Sequence, residues 1–263
     1  MALKLHIDNW ITRAEPDFYT MFIKAWIPFN AWYFTEYSTK KDSVALKEIK
    51  NTRNKIRNRI EALLTNDDNI SKTFRFNLAQ LHIELESRRI MNYGNIVSFQ
   101  NIMLDDYIPN PVTDTDRKGN IYKAIPDKVK GYRAVILDKV GKTLLDKTFN
   151  PYDYNSLIID NQYVSLGNTK IQEKIRICFS RINPLNPINI ISTSKTKNQF
   201  ILLDNDLKIK MINDTEIIAK SIIQVLYTLR CLLFHGELDP NDTNQPIYEN
   251  AFHLLKTLIK ELK

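Results

Sequence analysis

Chain breakers limit this sequence more than any other feature. Pro109, Pro111, Gly119, Pro126, Gly131, Gly141, Pro151 and Gly167 fall between residues 101 and 170, half of all its glycine and proline. Glycine supplies positive φ and proline removes a backbone donor, so the middle must turn often. The flanks run instead with helical periodicity. Residues 16–37 carry Phe18, Tyr19, Phe22, Trp26, Phe29, Trp32, Tyr33 and Phe34, and Pro28 predicts a kink or two pieces. A second helix is expected over 43–64, a loop at Asn66–Asn69, and a third helix over about 71–91. Asn213 or Asp214 reads as the N-cap of a long apolar helix ending at Gly236, and Pro246 opens a last one.

Within the middle, Tyr132–Leu137, Leu157–Ile159 and Tyr163–Val164 read as short strands and 170–182 as a helix. Pro109–Pro126 reads as an irregular loop. Gln199–Leu203 and Leu207–Met211 flank Asp204-Asn205-Asp206 and read as a β-hairpin. The expectation is a mainly α chain in three parts: helices in 1–100, an α+β insertion with short strands in 101–210, and helices in 211–263.

Composition narrows the chemistry. The 263 residues are 43% hydrophobic and 25% charged, which is globular rather than disordered. Six glycines spell neither G-x-G-x-x-G nor G-x-x-x-x-G-K-[ST]. Two cysteines, Cys178 and Cys231, make no Cys-rich zinc site or disulfide framework. A signal peptide and a long apolar span are both missing, so a cytoplasmic protein with no membrane partner is expected. The formal net charge of +7 suits an anionic partner such as nucleic acid.

The stretch richest in chemistry is Tyr227-Thr-Leu-Arg230-Cys-Leu-Leu-Phe-His235-Gly236. A guanidinium and an imidazole stand five residues apart at the end of an apolar helix. This resembles the Arg-x4–6-His motif of HEPN domains, and its flanks resemble the Apea-like branch of that family. The likeness covers roughly 214–262, with the helical first third as looser support. It implies an antiparallel helical bundle, a homodimer with two motifs facing across a cleft, and metal-independent endoribonuclease activity without a cofactor. It also suggests a toxin or antiphage abortive-infection effector, with an antitoxin or other regulatory partner. Here Cys231 stands where many members carry Asn, Asp or His, and Leu232 where a polar residue is common.

RNA brings its own nucleophile, the 2′-OH. Imidazoles exchange protons near neutral pH, which suits His235 to proton transfer. Arginine stays charged and donates a planar fork, which suits Arg230 to the phosphate. On an ideal helix an i, i+5 pair points about 140° apart. The two therefore converge only if the helix ends at 234–236 or a second subunit completes the site. The plainer reading makes both residues helix-end groups that favour the macrodipole. Tyr227 could stack a base, though a core or interface tyrosine is the simpler reading. Cys231 has a weak hydrogen-bonding side chain at the motif, and Glu237 could orient His235 or stand as a solvated carboxylate.

A basic face with Lys47, Lys50, Arg53, Lys55, Arg57 and Arg59 is a candidate for RNA-backbone contact, weighed equally against an ordinary solvated face. Of these, Lys47, Lys50, Arg53 and Arg57 are the leading candidates. Arg75 and His82 repeat the bare motif with better helical alignment but without its context. His82-Ile-Glu84 lacks the P-C-x-x-C of a zinc deaminase. Asp42 with Glu48 and Lys50 imitates a metal-dependent nuclease, yet on a helix rather than paired strands. Asp204-x-Asp206 reads more simply as a turn than as a Mg²⁺ site. His253 reads as an exposed or locally satisfied residue, and His6 sits in an uninformative segment. Two rivals stand beside the ribonuclease: a non-catalytic RNA-binding or regulatory protein that docks through 101–210, and the metal-dependent nuclease.

Overall fold

In a computed structural model, residues 7, 16–39, 41–104 and 107–262 are described. His6 lies outside the described residues. The chain is mainly α with small antiparallel sheets. It divides into two compact units, Met1–Ile102 with Ile188–Lys263, and Met103–Pro187. The sequence reading closed the insertion at 210. Residues 188–210 belong instead to the helical unit, because Ile188 bridges back to Ile102 and the Ile190 and Phe99 backbones bond.

The helical unit opens with α1 (Phe18–Glu36), capped by the Asp17 carboxylate on the Thr20 amide. Pro28 lies inside it, yet the helix is one element rather than two. The expected helix over 43–64 is broken: α2 spans Asp42–Asn51 and α3 Lys55–Thr65. The Asn54 side chain accepts from the Arg57 amide and so starts a new helix inside an unbroken apolar period. α4 (Asn69–Arg88) begins on the Asp68 cap.

A two-residue hairpin pair, β1 (Met91–Asn92) and β2 (Asn95–Ile96), follows. Later the chain forms α8 (Thr215–Phe234) and α9 (Gln245–Ile259). Aromatic residues of α1 pack on α9: Tyr19 lies 4.8 Å from Tyr248, Phe22 5.5 Å from Tyr248, and Phe18 6.2 Å from Phe252. Phe22, Tyr33, Tyr248 and Phe252 are core, whereas Phe18 and Tyr19 are half-buried at its edge. Before α8, β7 (Phe200–Leu202) and β8 (Lys210–Ile212) pair antiparallel as a hairpin, its second strand starting at Lys210 rather than at the expected Leu207. Asp204 accepts the Asp206 and Leu207 amides at their turn.

The second unit is an antiparallel meander of β3 (Val112–Thr115), β4 (Ile121–Asp127), β5 (Gly131–Leu137) and β6 (Thr143–Phe149), in that order. Part of the segment Pro109–Pro126, expected to be irregular, is therefore strand. Register pairs Tyr122 with Ile136 and Ala124 with Ala134, which puts all four on the buried face. Against that face packs α7 (Thr169–Arg181), through Ile175, Cys178 and Phe179. Leu157–Ile159 and Tyr163–Val164 are not strands. They lie in α5 (Tyr154–Ile159) and α6 (Asn161–Ser165). Asp153 and Asp160 accept the amides that start those helices, and these caps outweigh β-branched propensity.

Candidate functional site

α8 begins on the Asp214 side chain, which accepts the Ile217 amide at 3.0 Å. Ile218, Ile222, Ile223, Val225, Leu226, Leu229 and Leu232 bury its inner stripe. The helix ends as Gly236 predicted. Gly236 has φ +64°, its amide bonds the Leu233 carbonyl, and the Glu237 amide bonds that of Leu232. This paired closure is a Schellman motif. By length and composition α8 could cross a membrane, yet more than half of its apolar window is buried inside this unit.

Arg230 sits one turn before that end and is 19% exposed. Its Nη2 lies 3.0 Å from Oδ2 of Asp42, the first residue of α2. Its guanidinium carbon stands 4.3 Å from the centre of the Phe234 ring, a cation–π contact on a side chain that is 53% exposed. Its Nε is buried without a hydrogen-bond partner. The fork is thus pinned by one charge and one ring, and it is not saturated as a bidentate pair would be.

Asp42 is itself held. Its Oδ1 accepts from Tyr33 Oη at 2.8 Å and from Asn30 Nδ2 at 3.2 Å, and Asn30 also donates to Tyr33 Oη at 2.5 Å. Burial pushes the Tyr33 hydroxyl well above the ordinary tyrosine range, with the Asp42 carboxylate adding to the effect. Tyr33 therefore stays a donor, and α1 fixes the carboxylate that fixes Arg230. Asp42 was legible only as a metal-ligand imitation; its role as a partner of Arg230 gave no sequence signal.

His235 is the C-cap residue, φ −93° and ψ 0°, and its side chain is exposed. Among the described residues, no hydrogen bond or ion pair joins it to Arg230. Glu237 is likewise exposed. Cys231 is half-buried. Tyr227 stacks on Trp26 at 6.4 Å and 27°, and burial, with the Cys231 thiol beside it, pushes its hydroxyl up to about 12. That ring is packed rather than offered to a base. Tyr248 Oη, missed in the sequence, donates to the Leu229 carbonyl at 2.9 Å and anchors α8 immediately before Arg230.

The basic face separates into two kinds of residue. Lys47 and Arg53 are exposed. Lys50 is buried and donates to Gln224 Oε1 at 2.7 Å. Arg57 is only 4% exposed. It donates to the Lys50 carbonyl at 3.2 Å and faces Glu61 and Glu216 at 3.4 and 3.5 Å. Lys50 and Arg57 thus hold α2, α3 and α8 together and do not reach solvent, because the chain turns at 52–54.

The rival Arg75–His82 pair is structural as well. Arg75 donates to the Leu63 and Asn66 carbonyls, closing the end of α3. His82 is buried against Phe99. His253 is half-buried between Phe18 and Phe252. Among the described residues, no three His, Cys, Asp or Glu side chains gather as metal ligands would. Compared with protein-family models, curated proteins and solved structures, the chain matches none.

Proposed function

We propose that this chain is a metal-independent, HEPN-type endoribonuclease that works as a homodimer in the cytoplasm, as a toxin or antiphage effector under a partner's control. The observation that carries the reading is the fixed, partly open guanidinium of Arg230, one turn from an exposed imidazole at a helix end. A held cation needs no reorganisation when charge builds on a phosphorane, and such a donor is commonly worth about 3–4 kcal/mol.

In this reading His235 takes the proton from the 2′-OH or delivers one to the leaving 5′-oxygen. Arg230 binds the non-bridging oxygens. The 2′-oxygen forms its bond to phosphorus as the P–O5′ bond breaks, leaving a 2′,3′-cyclic phosphate and a 5′-OH. In this reading a second copy of the motif, facing the first across a homodimer cleft, completes the site.

A second reading has its own support. Asp42 already neutralises Arg230, which favours a chain that binds RNA without cutting it.

Incubation of purified protein with RNA in EDTA separates the two. The first reading expects cleavage with cyclic-phosphate ends, lost in His235→Ala and Arg230→Ala. The exposed His235 is the cleaner substitution, since losing Arg230 strands Asp42. Cleavage unchanged in both variants sinks the ribonuclease. Salt-sensitive RNA binding without cleavage by wild type supports the second.

A further inference from the structure

We infer that the second unit carries its own binding site for a nucleoside phosphate, in the cavity between the β3–β4 turn and the start of α7. The site is separate from Arg230 and His235 and does not depend on the ribonuclease reading.

The cavity holds about 540 Å³, a size typical of small-ligand sites. Arg117, Lys118, Lys170 and Lys174 line it together with Tyr122 and Ile171. Lys174 is paired with Asp114 at 2.7 Å. Among the described residues, Arg117, Lys118 and Lys170 have no carboxylate partner. Asp116 also borders the cavity, but its oxygens are taken up by the turn. They accept the Lys118 and Asn120 amides, the Asn120 side chain and the Tyr122 hydroxyl. Three exposed cations without an acidic partner thus border one opening.

The floor differs from the rim. Ile171 is half-buried there, and behind it Tyr122 is fully buried, with its hydroxyl fixed at 2.7 Å on Asp116. Cationic rim and apolar floor together match a ligand with an anionic end and a weakly polar end. Inorganic phosphate would leave the floor unused, and a plain aromatic would leave the cations unpaired. The α7 amides of Lys170 and Ile171 are already bonded by Asn168, so recognition falls to the side chains.

A neighbouring turn extends the cationic track. Asp116-Arg-Lys-Gly119-Asn120 and Asp138-Lys-Val-Gly141-Lys142 share one design, in which the glycine amide bonds the aspartate carbonyl at 3.0 Å. They sit at the same end of the meander, and a Cβ on Gly119 would lie 3.2 Å from Cβ of Lys139. Lys139 thereby stands beside the turn that carries Arg117 and Lys118, and a strand with a second phosphate would run toward it.

The source of the nucleotide, free or within RNA, is decided by two probes on the full-length chain. Adenosine 5′-monophosphate is titrated by calorimetry into wild type. A labelled ten-nucleotide single-stranded RNA is followed by anisotropy with the His235→Ala chain, which leaves the RNA intact under the ribonuclease reading. Lys170→Glu, at an exposed position, should weaken binding about tenfold or more, and Arg117→Ala/Lys118→Ala should do the same. Lys130→Glu, at the β4–β5 turn on the opposite end of the sheet, carries the same charge change and should leave affinity within about twofold. Saturable binding of the mononucleotide identifies a free nucleotide, and binding of RNA alone identifies a strand. No binding of either probe, or equal loss in Lys170→Glu and Lys130→Glu, overturns the site whether or not the protein cuts RNA.

Discussion

Arg230 and Asp42 lie on helices far apart in sequence, and their charged groups meet at 3.0 Å with about four-fifths of each side chain buried. The carboxylate holds the guanidinium in place and also competes with any phosphate for it. Those two effects oppose each other, which makes Asp42 the informative position to change.

Asp42→Asn keeps the shape and the oxygen that Tyr33 and Asn30 donate to, and removes the charge. Stability should fall by about 1–3 kcal/mol, the usual range for a buried charged hydrogen-bond partner lost. Urea denaturation measures it. RNA should bind the Asp42→Asn/His235→Ala chain more tightly than His235→Ala alone, because Arg230 loses its competitor. Cleavage by Asp42→Asn should be slower, because the fork is no longer aimed. Affinity and rate moving the same way would contradict the pairing's two roles.

Two arginines in the basic stretch should behave in opposite ways. Arg57→Ala removes the buried donor to the Lys50 carbonyl and the cation facing Glu61, while Glu216 keeps Lys220. A loss of about 1–3 kcal/mol is expected, as for a buried hydrogen-bond partner removed. Arg53→Ala, at an exposed position, should leave the unfolding midpoint unchanged and lower the salt slope of RNA binding by less than about one. Equal destabilisation by both would refute the burial of Arg57.

That contrast also marks how far the sequence reaches. The long helices, the β7–β8 hairpin and the Gly236 ending follow from local signals: an apolar period, a capping carboxylate, a residue that accepts positive φ. The break within 43–64 was missed because the Asn54 cap lies within an apolar period that continues past it. Leu157–Ile159 was misread because a short apolar run looks alike in a strand and in a helix. In the site, the sequence singled out Arg230 and His235. Their environment was not legible: Asp42, Tyr33 and Tyr248 arrive from α2, α1 and α9, and no local pattern announces a long-range partner.

His82 provides a pH test. Burial holds its imidazole below the ordinary histidine value, against the opposing pull of Glu86, whose Oε1 lies 3.6 Å from Nδ1. As pH falls through about 6.5, the unfolded chain takes up a proton that the folded chain resists. Stability from this residue is present above that pH and is lost progressively below it, until the folded imidazole also protonates. Urea midpoints of wild type should therefore drop between about pH 7 and 5 more steeply than those of His82→Gln, which has no imidazole to charge. Parallel curves would show that His82 does not drive the loss.

Gly131 and Gly141 separate a steric demand from a conformational one within the meander. Both have positive φ, +95° and +87°. A Cβ on Gly141 meets nothing within 4 Å, whereas one on Gly131 would fall 2.4 Å from the Phe149 carbonyl oxygen and 2.8 Å from Asn150 Cβ. Gly141→Ala should cost about 1 kcal/mol, the strain of a left-handed alanine. Gly131→Ala must also push back backbone at the Tyr132–Phe149 pair that ends the β5–β6 ladder, and roughly 3 kcal/mol is expected. Hydrogen exchange locates the difference: amides of β5 and β6 should lose protection in Gly131→Ala and keep it in Gly141→Ala, and equal protection in both would mean that the close approach of the two strands at this end is wrong.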